Sequence, residues 1–398
     1  TTGDHRFVFE QTDGVKPIDL AMEDMFGKAP RTVMTDRTVE ETYEDVTYDQ
    51  TQLDEYVERV LQLEAVACKD WLTNKVDRSV TGKIARQQCQ GEIQLPLSDC
   101  GVVALDYRGR AGIATSIGHA PQAALVDPAA GSVLSIAEAL TNIVWAPLSE
   151  GLDSVSLSAN WMWPCKNEGE DARLYRAVEA CSDFACSLGI NIPTGKDSLS
   201  MTQKYGKDKV YSPGTVIISA GAEVSDIRKV VSPVLRTGID STVYYIDFSF
   251  DKLKLGGSAF AQSLDKIGKE VPTVQDSEYF ANAFNAVQEL INKELILAGH
   301  DISAGGMITT MLEMNFANTE GGLEVSLDEI PEKDLVKILF SENPGILIQV
   351  EKTDEVEKIL KKAGVAFIRL ARPCDERHLL TVSYTHLRAH ETLRISYA

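Results

Sequence analysis

Residues 295–312 read LILAGHDISAGGMITTML, and this stretch decides the fold. Residues 295–298 form a short apolar run of strand type that leads into His300-Asp301. After Ser303-Ala304-Gly305-Gly306 the apolar positions Met307, Ile308, Met311 and Leu312 return at helical spacing. A strand passing through a Gly-rich turn into a helix is an α/β unit, and Ser303 is the expected N-cap. On either side the texture continues. A strand is predicted at 243–246 and a helix over 277–292, with Phe280, Phe284, Val287 and Ile291 on one face. Strands at 346–350 and 365–370 flank a predicted helix at 354–362.

A similar block precedes this one. Strands are expected at 100–105, 155–159 and 215–220. Helices are expected at 132–145 and at 172–188, where Leu174, Val178, Cys181, Ala185 and Leu188 make the stripe and Gly189 the stop. Two mixed blocks predict an α+β or α/β protein with two domains. Residues 1 to about 52 are polar and acidic and read as a solvated linker ahead of a helix at 54–67. The last 18 residues, from Thr381, have no clear period and resemble translated adapter sequence, so they are set aside as a non-native tail.

The composition is that of a globular chain. Its 398 residues carry 59 acids against 39 bases, a formal charge of −20 that argues against nucleic-acid and anionic-membrane partners. No apolar run is long enough to span a bilayer. Seven cysteines without a C-x-x-C pair suggest a reducing cytoplasm, and the start at Thr1 suggests a piece of a longer chain.

Oxygen ligands gather beside turns. Ser98-Asp99-Cys100-Gly101 opens a strand, Glu138 and Asn142 share one helix face, and Asp301 precedes the Gly-rich turn. Three carboxylates and an amide carbonyl suit a hard cation such as Mg²⁺, and the amides of 303–306 are placed to cradle a phosphate. Spacing alone leaves plainer readings open. Ser135 to Glu138 matches a capping box, Asn142 suits a helix surface, and Asp99 and Asp301 suit loop caps. Thr194-Gly195-Lys196-Asp197-Ser198 falls short of a P-loop and reads as a turn entering a strand, with Lys196 and Ser198 as anion contacts. His119 reads as a turn residue, and none of the cysteines has the setting of a nucleophile.

Seven motifs then occur in order: Asp77-Arg-Ser-Val-Thr-Gly82, Leu95-Pro-Leu-Ser-Asp99-Cys100, Glu138-Ala-Leu-Thr-Asn142, Leu157-Ser-Ala-Asn-Trp161-Met162, Gly169-Glu-Asp171, Pro193 to Met201, and His300 to Gly306. Over roughly residues 1 to 380 they resemble the large, single-chain phosphoribosylformylglycinamidine synthase family. That resemblance implies an aminoimidazole ribonucleotide synthetase-like fold, in the second of two fused copies. The end of the preceding copy and a linker would occupy 1–52, an N-half 53–226, a C-half 227–380, and the foreign tail 381–398.

The resemblance also implies an activity. It is the ATP-dependent conversion of formylglycinamide ribonucleotide and glutamine to formylglycinamidine ribonucleotide and glutamate, with ADP and phosphate, in purine biosynthesis. Asp99, Glu138, Asn142 and Asp301 would bind Mg²⁺ at an auxiliary ADP site. Lys69, Ser98 and Ser303 would contact the nucleotide. Asn160, Gly195, Lys196 and Ser198 would line a substrate site shared with the missing N-terminal synthetase copy. The glutaminase domain would lie beyond this chain, which alone would bind nucleotide without completing the reaction. A catalytically silent nucleotide-binding scaffold, or another ATP-using enzyme of the superfamily, is the alternative. Relatives often carry Asp where this chain has Ala304, so that position is not expected to be a ligand.

Overall fold

The computed structural model describes residues 3–28, 33–73, 78, 82–382 and 392–396. Most of the motif at Asp77 to Gly82 and most of the tail therefore lie outside the described residues. The chain divides into a small unit, 1–36, and a main unit, 37–398. The small unit is not the bare linker expected there. Arg6–Phe9 pairs antiparallel with Ile18–Ala21, and a short helix, Met22–Phe26, follows.

Beside two short antiparallel pairs, Cys89–Gln90 with Leu95–Pro96 and Thr202–Tyr205 with Asp208–Tyr211, the main unit has among the described residues two large sheets. The first uses β1 (Ile84–Arg86), β2 (Gly101–Ala104), β3 (Gly112–His119), β4 (Ser156–Met162), β5 (Asn191–Ser198) and β6 (Thr215–Val224), in the order β1-β2-β3-β6-β4-β5. Only the edge pair β4–β5 is parallel. The second uses β7 (Thr242–Asp247), β8 (Ile296–Asp301), β9 (Gly322–Ser326), β10 (Gly345–Val350), β11 (Ile368–Cys374), β12 (His378–Val382) and β13 (Thr392–Ser396), ordered β8-β10-β7-β11-β9-β12-β13. Part of the segment set aside as foreign is thus paired, antiparallel, at this sheet's edge.

Helix α1 (Leu53–Leu61) precedes the sheets, and α2 (Pro128–Ile143) and α3 (Glu170–Ser187) belong to the first block. Helices α4 (Ser277–Asn292) and α5 (Gly306–Phe316) belong to the second. Helix α2 starts four residues before the expected position, because Asp127 caps it and Pro128 fills its first turn. Ser135 is therefore helix interior, its hydroxyl bonded back to Gly131 O at 2.8 Å, and the capping-box reading of Glu138 fails. The Gly195 to Ser198 stretch is strand, not turn: it is the second half of β5.

The expected strand at 365–370 also moves. The chain enters β11 only at Ile368, after Gly364 turns it with φ +70°.

The two blocks share one core. Ile136, Leu140 and Trp145 of the first pack in one cluster with Tyr244, Phe280, Phe284 and Ile346 of the second. Gln288 of α4 stitches them with polar bonds: its Oε1 accepts from Leu148 N at 2.8 Å, and its Nε2 donates to Val144 O and Ala146 O at 2.6 and 3.0 Å. A second cluster buries Tyr56 and Val60 of α1 against Phe260, Met307 and Met311. Strand β3 lies tight on α2. A Cβ on Gly118 would sit 2.2 Å from Ser135 O, so only glycine allows that approach.

Candidate functional site

The end of β8 and the turn into α5 meet the strand-opening segment at Ser98-Asp99 and the middle of α2. The carboxylates come together because each sits where an element ends or bends. Asp301 closes β8, and Asp99 lies two residues before β2. Glu138 and Asn142, one turn apart on α2, both reach the C-terminal end of β3. Glu138 Oε2 accepts from His119 N at 2.8 Å, and Asn142 Nδ2 donates to Ile117 O at 3.0 Å.

Three cavities open there. One of about 640 Å³, along β1 and β2, takes in Ser98 and Asp99 but neither Asp301 nor Glu138, and the other two adjoin. Of these two, one, of about 240 Å³, is walled by Ser98, Asp99, Asn142, His300, Asp301 and Glu313, among others. The other, of about 300 Å³, is walled by Lys69, His119, Glu138 and Glu342. Ala65, Ser303 and Ala304 line both, so the cavities adjoin across Ser303. The larger of these two reaches the lower bound for small-molecule pockets, about 300 Å³. A bigger cavity, about 1070 Å³, lies around Tyr245, Asp247 and Lys254 and holds none of the expected site residues. Its buried acids are satisfied internally. Asp247 accepts from Ser249 N and Phe250 N, and Asp251 pairs with Lys254 at 2.7 Å.

The acidic end is electrostatically tense. His300 Nδ1 lies 2.7 Å from Asp99 Oδ1 and 3.6 Å from Asp301 Oδ1, while its Nε2 is 3.1 Å from Glu313 Oε2. Burial pushes the Asp99, Glu138 and Asp301 carboxyls above the ordinary range, and the Asp99 charge adds to the rise at Asp301. Burial alone would lower the His300 imidazole, but Asp99 and then Glu313 outweigh it and hold it well above its usual value. Asp99 Oδ2, Asp301 Oδ2 and Ser98 Oγ are buried without a hydrogen-bond partner. Buried acceptors left bare against raised carboxyls are what a bound cation would satisfy, so the donor set fits Mg²⁺.

Of the expected tetrad, Asp99, Asn142 and Asp301 wall one cavity and Glu138 the adjoining one. Asp99 and Asp301 group with His300 rather than with Glu138. Glu138 faces the adjoining cavity, where its Oε1 accepts from Ser303 Oγ at 3.0 Å. Ser303 is not the N-cap of α5. Gly305 holds that position at φ +95°, and Gly306 follows at φ +73°. The Gly305 amide donates to Glu342 Oε1 at 2.8 Å and the Gly306 amide to Ser303 O at 3.0 Å. These two amides cannot serve a phosphate, as expected from the sequence, without giving up those bonds. A protein carboxylate has taken the helix N-terminus.

Lys69 lines the same cavity as Glu138, with its Nζ on Ala67 O at 2.8 Å. The other four expected residues lie elsewhere, on neighbouring strands. Asn160 and Lys196 are register partners across β4 and β5, as are Ala159 and Gly195. Lys196 Nζ bonds Ser198 Oγ, and Asn160 Oδ1 is buried without a partner.

Sequence reasoning missed three groups. Glu342 also accepts from Ala259 N at 2.7 Å, and burial pushes its carboxyl up to about 7. Its one signal was an acid in the Ser341 to Gly345 turn before a strand. Glu313 sits two turns into α5, and the His300 ring was overlooked beside Asp301.

Known proteins resemble this chain in the same two blocks. A profile of the FGAR-AT PurM_N-like domain matches residues 68–223, and one of the AIR synthase related protein C-terminal domain matches 242–378. The human phosphoribosylformylglycinamidine synthase is 39% identical over 358 residues, 89% of this chain and 26% of that protein. A probable phosphoribosylformylglycinamidine synthase of Caenorhabditis elegans is 42% identical over 323 residues, 78% of this chain and 24% of that protein. The chain thus spans about a quarter of the curated relatives it matches. Among solved structures, T. maritima PurL complexed with ADP aligns with a TM-score of 0.59 at 14% identity, covering 86% of this chain and 50% of that one. T. maritima PurL complexed with FGAR aligns at 0.59 and 15%, covering 74% and 47%. At such identities the likeness shows the fold: AIR synthase-like N and C domains.

Proposed function

This chain belongs to the phosphoribosylformylglycinamidine synthase family, and on that premise we propose that it holds an auxiliary Mg²⁺–ADP site of an ATP-dependent ligase. The observation that carries this reading is the set of buried, unpartnered oxygens, Asp99 Oδ2, Asp301 Oδ2 and Ser98 Oγ, at cavities that adjoin across Ser303. Asp99, Asn142 and Asp301 would offer oxygens to the ion from one cavity, and Glu138 from the other. When bound, Mg²⁺ neutralises phosphate charge that a chain of net charge −20 would otherwise repel. Lys69, whose Nζ bonds Ala67 O, would contact a nucleotide phosphate, and Ser303 would contact the nucleotide. The solved complexes of T. maritima PurL with ADP and with ATP support a nucleotide as the ligand.

In the whole protein, this segment serves the cytoplasmic conversion of formylglycinamide ribonucleotide, glutamine and ATP to formylglycinamidine ribonucleotide, glutamate, ADP and phosphate. Its partners are an N-terminal synthetase copy and a glutaminase domain. Asn160, Gly195, Lys196 and Ser198 line the substrate site on the β4–β5 edge. That edge also favours a second reading, a nucleotide-binding scaffold that is silent alone: Gly195 and Lys196 are exposed on the outermost strand, and Lys196 is bonded to Ser198.

Isothermal titration of the full chain with ADP in excess Mg²⁺ tests the site. Saturable binding that Asp301→Ala weakens about tenfold or more is expected. Equal affinity in wild type and variant contradicts it. Steady-state ATP turnover by the chain separates enzyme from scaffold.

A further inference from the structure

The cavity of about 1070 Å³ lies outside the proposed Mg²⁺–ADP site and shares only Gly256 with the two cavities that adjoin across Ser303. Its size is near the upper end of the range for small-molecule sites, about 1000 Å³. Three segments close it: residues 45–48, the loop that follows β7, and the stretch from Ile330 to Lys337. Tyr48 ties the first to the third, its hydroxyl donating to Asp334 Oδ2 at 2.5 Å.

The loop after β7 is built from behind. Asn343, 2% exposed, donates to Ser249 Oγ and to Lys252 O at 3.1 Å each and accepts from Lys254 N at 3.3 Å. Asp247 Oδ2 accepts from Phe250 N at 2.9 Å. These bonds hold Phe250 at φ +51°, a left-handed conformation that is strained for a bulky residue. Its ring is left 59% exposed at the cavity wall, backed by Tyr279 with ring centroids 5.0 Å apart. A ring kept open to water by a preorganised loop is suited to stack a flat ligand.

As many acids as lysines line the wall, but they are not equally engaged. Asp247 and Glu332 accept backbone amides, and Asp251 pairs with Lys254. That leaves Asp45 and Glu270, both exposed. Against them, the ammonium groups of Lys252, Lys269, Lys333 and Lys337 have no hydrogen-bond or ion-pair partner among the described residues. No arginine is among the described lining residues, so the fork that selects planar carboxylates is missing. Separate ammonium charges suit a multiply charged phosphate. Nor do the described acids of this wall form a metal-ligand group.

We propose that this cavity is a second, metal-independent site that takes a mononucleotide, with its base stacked on Phe250 and its phosphate held by the uncommitted lysines. The site is separate from the Mg²⁺–ADP site and does not depend on it.

The test is calorimetric titration of the full chain with AMP in EDTA, where the acidic cluster holds no metal. AMP should bind saturably, with adenosine and inorganic phosphate each weaker by about tenfold or more, since each carries one half of the recognition. Lys333→Ala combined with Lys337→Ala should weaken AMP about tenfold or more, and the loss should shrink as salt rises. Phe250→Leu keeps an apolar side chain without the ring; it should weaken AMP about tenfold and leave inorganic phosphate within about twofold of wild type. Asp301→Ala should leave AMP affinity unchanged. A wild type that is folded by circular dichroism and binds no AMP in EDTA overturns the site. So does AMP binding that Asp301→Ala removes and the lysine variant does not, because the nucleotide then sits beside the acidic cluster. Inorganic phosphate as tight as AMP, or a folded Phe250→Leu chain as tight as wild type, overturns the stacked base.

Discussion

Glu342 shows how one buried carboxyl organises the site without touching the acidic cluster. Its Oε1 takes the amides of Ala259 and Gly305, so it fastens two helix starts to one point. Burial raises its carboxyl from 4.5 to about 7, against the pull of those amides. Between those values the native chain holds a proton that the unfolded chain has lost, so native stability falls as pH rises through that window. Glu342→Gln has no proton to lose. Its stability relative to wild type should improve between pH 4.5 and pH 7, by about 3 kcal/mol at most, in paired thermal melts. A constant difference across that range would contradict the raised carboxyl. The residue scale was also the least legible in the sequence. Asp99 and Asp301 stood out as oxygen ligands, but Glu342 joins Gly305 from 37 positions away, and no local spacing encodes that meeting. The capping-box match at Ser135 misled because Asp127 starts the helix earlier.

At the scale of elements the sequence was a better guide. Helix α4 runs over the span that its Phe280, Phe284, Val287 and Ile291 periodicity predicts, Ser277–Asn292. The strand-turn-helix from Ile296 to Phe316 is likewise present. The errors lie at ends and turns, where caps decide rather than periodicity. The N-terminal hairpin was missed because its strands, RFVF and IDLA, are four residues long and almost wholly exposed, so no buried face imposes an alternation to read. Element packing also has a sharp test at Gly118, whose missing side chain lets β3 lie on α2. Gly118→Ala would place Cβ 2.3 Å from Ala139 N, and should cost about 1–3 kcal/mol in urea denaturation. Glu138 and Asn142 hang from the same contact, so Mg²⁺–ADP affinity should fall with it. A neutral effect on both would mean that the strand and helix are looser than the structure has them.

Across the main unit, two sheets share a core, and the Gln288 amide is its polar stitch. All of its bonds cross between blocks, to the backbone of residues 144–148. Gln288→Leu would strand a buried N–H and two carbonyls, each worth about 1–3 kcal/mol, and should lower the melting temperature while keeping one transition. Two separated transitions in wild-type calorimetry, one per sheet, would contradict the shared core. That sharing could not be read from the sequence, which shows two blocks with their own apolar stripes but not which stripes face each other.

The central claim, an intact nucleotide and metal site within this chain, is tested most directly by content. The full chain is purified, desalted and denatured, and the released ADP and divalent metal are quantified. The account predicts close to one ADP and one metal per chain, both lost in Asp301→Ala. A folded wild type that releases neither, and binds neither when they are added back, would contradict it.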